Sequence, residues 1–233
     1  MSNGKANEKA THHYNLGVSY EREGETENAK REYINSLKDD PYFPYPHKSL
    51  GELYYKKEGN LQKALEHLEK ALKLDPDWID ARGLFADVLL DLGRTEEAID
   101  NMDIALEGDP KNIHYLSQLG RMLVASGRYS EAIELLEAAA AQDPDNFKFQ
   151  YSLALAFGKR AMSDVDRSIQ HWERAFALNP EDPNLHRNMG IAYFTRGMLK
   201  ESAKAFKRAL QADPGDKVAT RFLLFAERVE ESE

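Results

Sequence analysis

The chain has 233 residues, 42% of them hydrophobic, which is enough for a buried core and excludes wholesale disorder. It has no cysteine, which excludes a disulfide framework, thiolate metal sites and a thiol nucleophile. A formal net charge of −9 disfavours non-specific binding to nucleic acid.

The opening stretch, "MSNGKANEKATHHYNLG", is polar and has no hydrophobic signal segment, so residues 1–9 read as a flexible leader. No apolar run approaches the roughly 18 residues of a membrane span. The expected location is cytoplasmic, with no membrane insertion. From there the chain returns repeatedly to one dipeptide: Asp40-Pro41, Asp75-Pro76, Asp109-Pro110, Asp143-Pro144, Asn179-Pro180 and Asp213-Pro214. The prolines are 35, 34, 34, 36 and 34 residues apart, the signature of an internal repeat.

Aligned on those prolines, the units share columns. A bulky apolar residue precedes a small one at Leu16-Gly17, Leu50-Gly51, Phe85-Ala86, Leu119-Gly120, Leu153-Ala154 and Met189-Gly190. Further on come a small residue (Ala29, Ala64, Ala98, Ala132, Ser168, Ser202), a bulky one four later (Tyr33, Leu68, Met102, Leu136, Trp172, Phe206) and a small one three beyond that. Steps of three and four mark one face of an α-helix, and each unit holds two such patterns. A turn divides them, marked by Gly24, Gly59, Gly93, Gly127 and Gly197. Each unit is therefore a helical hairpin, with small residues where backbones approach and bulky ones in the facing groove. A residue before proline is pushed out of the helical region, so the second helix ends at the Asp or Asn. Asp77, Asn112, Asp145 or Asn146, and Asp182 with Pro183 then start the next helix.

These columns resemble the tetratricopeptide repeat, six units in register over nearly the whole chain. The family's early tryptophan is replaced by His13, His47, Arg82, Leu116, Gln150 and His186. The resemblance implies an all-α fold, a right-handed α-solenoid of six hairpins. The array spans residues 10–214, in units 10–43, 44–78, 79–112, 113–146, 147–182 and 183–214, and residues 215–233 form a C-terminal capping helix and tail. In that helix Val218, Phe222, Phe225 and Val229 share a face, while Leu223 and Leu224 widen the apolar surface and leave self-association open.

Two units are irregular. The linker "PYFPYPHK" is stiffened by prolines, with Tyr42 and Phe43 expected between hairpins and Tyr45 toward a groove. The fifth unit gains two residues, read either as length drift or as a rim contact through Lys159, Arg160, Asp164 and Asp166. Charge is uneven as well: residues 79–110 hold nine acids and two bases, and residues 183–214 hold six bases and two acids.

Chemistry is sparse. There is no HExxH, no phosphate-binding glycine loop and no GxSxG, and the repeats leave no length for a catalytic domain. No catalytic residue, metal site or cofactor is assigned. The resemblance instead implies a concave wall formed by the first helix of each unit. It would present Tyr14, Val18, Lys48, Glu52, Tyr55, Asp80, Asp87, Leu90, Ser117, Arg121, Val124, Lys148, Tyr151, Leu155, Arg187, Ile191 and Phe194. Apolar anchors among charges suit an extended peptide or a helix of a partner protein. Some relatives clamp a chaperone's C-terminal carboxylate with lysines, asparagines and an arginine. Here Tyr14, Val18, Ser49, Asp80 and Leu84 stand in those places, which argues against that ligand. The leading expectation is a non-catalytic protein–protein interaction adaptor. The alternatives are a self-assembling scaffold, a homo-oligomer formed through the C-terminal helix or the solenoid ends, and an enzyme using scattered carboxylates and histidines.

Overall fold

The computed structural model describes residues 7–230; the side chains of Pro183, Val229 and Glu230 lie outside that description. Every regular element among the described residues is helical. The chain divides into two compact units, residues 1–111 and 112–233.

The first unit holds three hairpins: α1 (Glu8–Arg22) with α2 (Thr26–Asp39), α3 (Pro44–Lys56) with α4 (Leu61–Leu74), and α5 (Ile79–Asp91) with α6 (Thr95–Gly108). The second holds α7 (Ile113–Ala125) with α8 (Tyr129–Gln142), α9 (Phe147–Arg160) with α10 (Val165–Leu178), α11 (Pro183–Arg196) with α12 (Leu199–Ala212), and then α13 (Lys217–Glu230). Each helix meets its hairpin partner most extensively, and within each unit successive hairpins stack: α2 on α3, α4 on α5, α8 on α9, α10 on α11 and α12 on α13. First helices also touch: α3 with α5 in the first unit, and α7 with α9, α9 with α11 and α11 with α13 in the second.

Local chemistry explains the boundaries. All six second helices end at the residue before the repeated proline, Asp40, Asp75, Asp109, Asp143, Asn179 and Asp213, each with φ between −133° and −148°. Asn112, Asn146 and Asp182 cap the first helices of the second unit by accepting backbone N–H bonds. Asp77 does not act this way. α5 starts after Trp78 and has no side-chain cap, because the helix begins one residue too late for Asp77 to reach it. At the other terminus α1 starts at Glu8, capped by Asn7, and so takes in the last two residues of the expected leader. Residues 1–6 lie outside the described residues, as does the Val229 side chain.

The expected turn glycines all have positive φ. At Gly197, φ is 83°, and the N–H groups of Gly197 and Met198 close the helix onto the Phe194 and Tyr193 carbonyls at 3.0 and 2.9 Å. The fifth unit has no such glycine. Its α9 runs to Arg160, Ala161 is extended, and a single 3-10 turn at Met162–Asp164 leads into α10.

The small and bulky columns form the cores. A Cβ on Gly17, Gly51, Gly120 or Gly190 would meet Tyr33, Leu68, Leu136 or Phe206 at 2.5 to 2.7 Å. In the second unit Trp172 is buried with Ala154, Ile169, Ala175, Leu185, Met189, Ala192 and Ala205, and Phe206 with Ala209 and Ala219.

The linker before α3 departs from expectation at one residue. Phe43 is buried against Tyr14, ring centroids 5.5 Å apart, but Tyr42 is 79% exposed. Asp40 accepts the Tyr42 N–H at 3.0 Å, forming a turn that directs Tyr42 to solvent.

Candidate functional site

The second unit contains a concavity of about 620 Å³ built mainly from the first helices. α7 contributes Arg121 and Val124, α9 contributes Phe147, Lys148, Tyr151, Leu155 and Lys159, and the start of α11 contributes Asn184 beside the cap Asp182. On α9 the lining residues recur at steps of three and four, so one face of that helix forms the floor. Tyr151 is fixed from below and from the side. Its ring meets Trp172 edge-on at 4.9 Å, and its hydroxyl accepts from Asn188 Nδ2 at 2.9 Å. Burial, and then the Asp182 charge, raise the Tyr151 pKa, so the phenol stays neutral near pH 7. Arg121 donates to Gln118 at 2.8 Å, and Lys148 and Lys159 form no ion pair among the described residues. Three cations against one lining carboxylate give the concavity a positive balance over an apolar floor.

A smaller cavity of about 150 Å³ adjoins it and shares Leu155 and Lys159. Its walls are mostly apolar, with Trp172, Val165, Met162 and Ile191 among them. The irregular turn of the fifth hairpin supplies Ala161 and Met162 to its rim. Three of the four charges named in that segment are engaged: Arg160 makes two bonds to Asp164 at 2.7 and 3.0 Å, and Arg196 of α11 reaches Asp166 at 2.6 Å, while Lys159 lines both cavities.

The predicted wall residues are distributed as follows. Arg121, Val124, Lys148, Tyr151 and Leu155 share the larger concavity. Ser117 bonds back to the His114 carbonyl at 3.0 Å on its own helix. Ile191 lines the smaller cavity. Arg187 is held by Asn184 at 2.9 Å and Asp216 at 3.4 Å. Phe194 packs on Phe222 and Phe225 at 5.1 and 5.5 Å. In the first unit, Tyr14 contacts the rings of Tyr33, Phe43 and Tyr45, and Tyr45 in turn meets Trp78 at a tilt, ring centroids 4.9 Å apart. Lys48 and Lys56 both bond Glu52; these bonds outweigh its burial and hold its carboxyl below the usual range. Tyr55 donates to Asp91 at 2.8 Å; burial and that bond raise its pKa. Val18 and Leu90 are half-buried and Asp80 is exposed, whereas Asp87 is only 8% exposed. Asp87 is therefore not an open groove charge: it lies against Tyr55, whose helix α3 packs beside α5.

Phe147, Asn184 and Asp182 were not foreseen as lining residues. The only signal for them was their place at or next to a helix start, which the cap analysis read as punctuation. Among the described residues no three His, Asp or Glu side chains gather as a metal ion would require. His47 and His67 approach at 3.0 Å between Nδ1 atoms, inside the second hairpin.

Stacked helical hairpins that offer a wall of first-helix side chains define a class of protein-interaction arrays. Tetratricopeptide profiles match residues 14–78 and 158–217, residues 55–122 and residues 120–160. The first of these alone covers more than half of the sequence, and the chain belongs to the tetratricopeptide repeat family. It is similar in structure to YrrB, a TPR protein with an unusual peptide-binding site, at 18% identity and a TM-score of 0.71, covering 81% of this chain and 96% of that one. It is also similar to MamA, at 22% identity and a TM-score of 0.65, covering 73% and 92%. A MamA RS-1 ArsTM double mutant matches at 18% identity and a TM-score of 0.64, covering 91% and 99%. No curated protein matches the sequence.

No helix among the described residues is long and apolar enough to cross a membrane.

Proposed function

We propose that this protein is a non-catalytic adaptor whose second unit grips a segment of a partner protein in the concavity between α7, α9 and α11. One observation carries this reading: Arg121, Lys148 and Lys159 surround an apolar floor of Phe147, Tyr151 and Leu155 in a space of about 620 Å³. Such a space admits several residues of an extended chain, and its make-up selects acidic side chains beside an apolar anchor. The adjoining 150 Å³ cavity is of the size of one aliphatic side chain and lies where that anchor would sit. The peptide-binding site described for YrrB, a protein of similar fold, supports a peptide as the ligand. The first unit's groove charges are less suited to this task, because Lys48, Lys56 and Glu52 already satisfy one another.

The test is selection from a random-peptide library against the full chain. Selected peptides should be rich in Asp and Glu around a Leu, Ile or Phe. Arg121→Glu with Lys148→Glu should weaken them about tenfold or more. Peptides without acidic enrichment, or an unchanged affinity in the double variant, would remove the reading.

A further inference from the structure

Three exposed large apolar side chains of the second unit share its last helix. Leu224 and Phe225 of α13 are 53% and 56% exposed, and Val218 is exposed as well. With Phe194 and Phe222, Leu224 and Phe225 wall a cleft of about 940 Å³ whose charged lining is entirely basic: Lys217, Arg221 and Arg228. None of these three forms an ion pair among the described residues. Lys217, Arg221, Leu224 and Arg228 follow one another at steps of four, three and four, so they form one exposed stripe down the helix.

One helix of the same chain carries the complement. α6 holds five carboxylates and no base. Its Glu96, Asp100, Asp103 and Glu107 are all exposed and follow one another at steps of four, three and four. Beside Asp103 stands Ile104, 43% exposed, a large apolar side chain in solvent. The two stripes therefore match in spacing, oppose in charge, and each includes or flanks an exposed apolar residue. The cleft that the basic stripe on α13 borders, at about 940 Å³, has room for several side chains of a docked helix face.

We infer that the α13 cleft is a docking surface for a second copy of this chain, which presents its α6 with Ile104 toward Phe222 and Phe225 and its carboxylates toward Lys217, Arg221 and Arg228. The two faces are different patches, so the contact is heterologous, and each added copy leaves one of each face open. The association is held together by surface charge around a small apolar centre, so it weakens as salt rises. It uses other residues than the α7–α9–α11 concavity and is independent of the peptide reading.

The experiment is sedimentation velocity on the full chain over a range of protein concentrations at low salt, with charge swaps on exposed positions. The parent protein should sediment faster as concentration rises, and less so in high salt. Arg221→Glu with Arg228→Glu should weaken association roughly tenfold or more, and Asp100→Lys with Glu107→Lys should do the same. Mixing the two reversed proteins should restore association, because each supplies the face that the other's reversed stripe now complements. Leu224→Ser with Phe225→Ser provides an uncharged check and should also yield monomers, with unchanged helical circular dichroism. A strict monomer at every concentration overturns the inference. Association that survives the α13 reversals overturns it as well, as does association lost on α13 reversal but indifferent to α6, since the occupant is then another surface.

Discussion

The Ser202 hydroxyl donates to the Gly190 carbonyl at 2.9 Å across the α11–α12 hairpin. Ser168 does the same to Ala154 at 2.8 Å across α9–α10. Both serines occupy one small-residue column and both acceptors another, so the bond forms only where two helix backbones come close. A Cβ on Gly190 would stand 2.7 Å from the Phe206 ring. Gly190→Val should therefore cost about 1–3 kcal/mol through overpacking, whereas Ser202→Ala should cost about 1 kcal/mol. Urea titration gives both values. The double variant should lose less than the sum, because the valine already separates the helices that the serine joins.

Trp172 supports both the core of the second unit and the concavity above it. It is buried among Ala154, Leu185 and Met189 and meets Tyr151 edge-on. Trp172→Ala should cost about 3–5 kcal/mol and loosen the Tyr151 floor. Trp172→Phe should retain most of the stability and leave peptide affinity lower than in the parent. Thermal melts combined with titration of a selected peptide separate the two effects. If the Phe variant binds as the parent does, Tyr151 does not depend on Trp172 for its position.

Three histidines make the fold sensitive to mild acid: burial lowers the pKa of His47, and lowers those of His67 and His171 further. Burial first, and then the charges of His47, Lys70 and Lys63, push His67 down to about 4. Burial, and then Arg174 and Arg167, push His171 down to about 4 as well. The amide of Gln150 is oriented by its own bond to the Pro144 carbonyl at 2.7 Å, so its oxygen faces His171 Nδ1, which must donate. Both histidines are thus neutral in the folded chain, while the unfolded chain takes up protons near pH 6.5. Their contribution is fully present above about pH 6.5 and is lost as pH falls from there toward about 4. The upper part of that window belongs to the histidines, because the lowered carboxyls Glu32 and Glu52 act only below their ordinary value of 4.5. The urea midpoint should be lower at pH 5 than at pH 7, and His67→Gln with His171→Gln should shrink the difference, the remainder belonging to His47. An equal slope in the double variant would assign the pH dependence to other groups.

What could be read from the sequence was whatever a local steric rule enforces. The residue before each proline had to leave the helix, Gly197 had to take a left-handed backbone, and Gly51 had to face Leu68. The cap at Asn112 followed from the same kind of rule, whereas Asp77 is no cap because the cap position, two residues after the repeated proline, is held here by Trp78. Side-chain coverage was harder to read. A helical period assigns a residue to a face but does not say what crosses that face. Tyr42 was expected inside and is outside, and Asp87 was expected to be open and is covered. Of the wall residues, those on α7 and α9 converge on one concavity, while Lys48, Glu52 and Tyr55 are engaged in bonds that spacing alone does not reveal. Lys159 lines both cavities because the fifth hairpin has an irregular turn, and the inserted length was the only hint of it.

Asp80 and Asp87 test this distinction directly, since both stand on α5 and differ in coverage. Asp80 is exposed in the first turn of α5, so Asp80→Lys should cost no more than about 1 kcal/mol, the loss of a carboxylate at a helix N-terminus. Asp87 is 8% exposed beside Tyr55. Asp87→Lys must bring a longer cation into that space, and the expected cost is about 2 kcal/mol or more. Asp87→Asn, which keeps the shape without the charge, should fall between the two. Denaturation midpoints of the three variants order them. If Asp87→Lys proves as stable as Asp80→Lys, the packing of α3 beside α5 does not shield this carboxylate, and Asp87 returns to the set of side chains a ligand can reach.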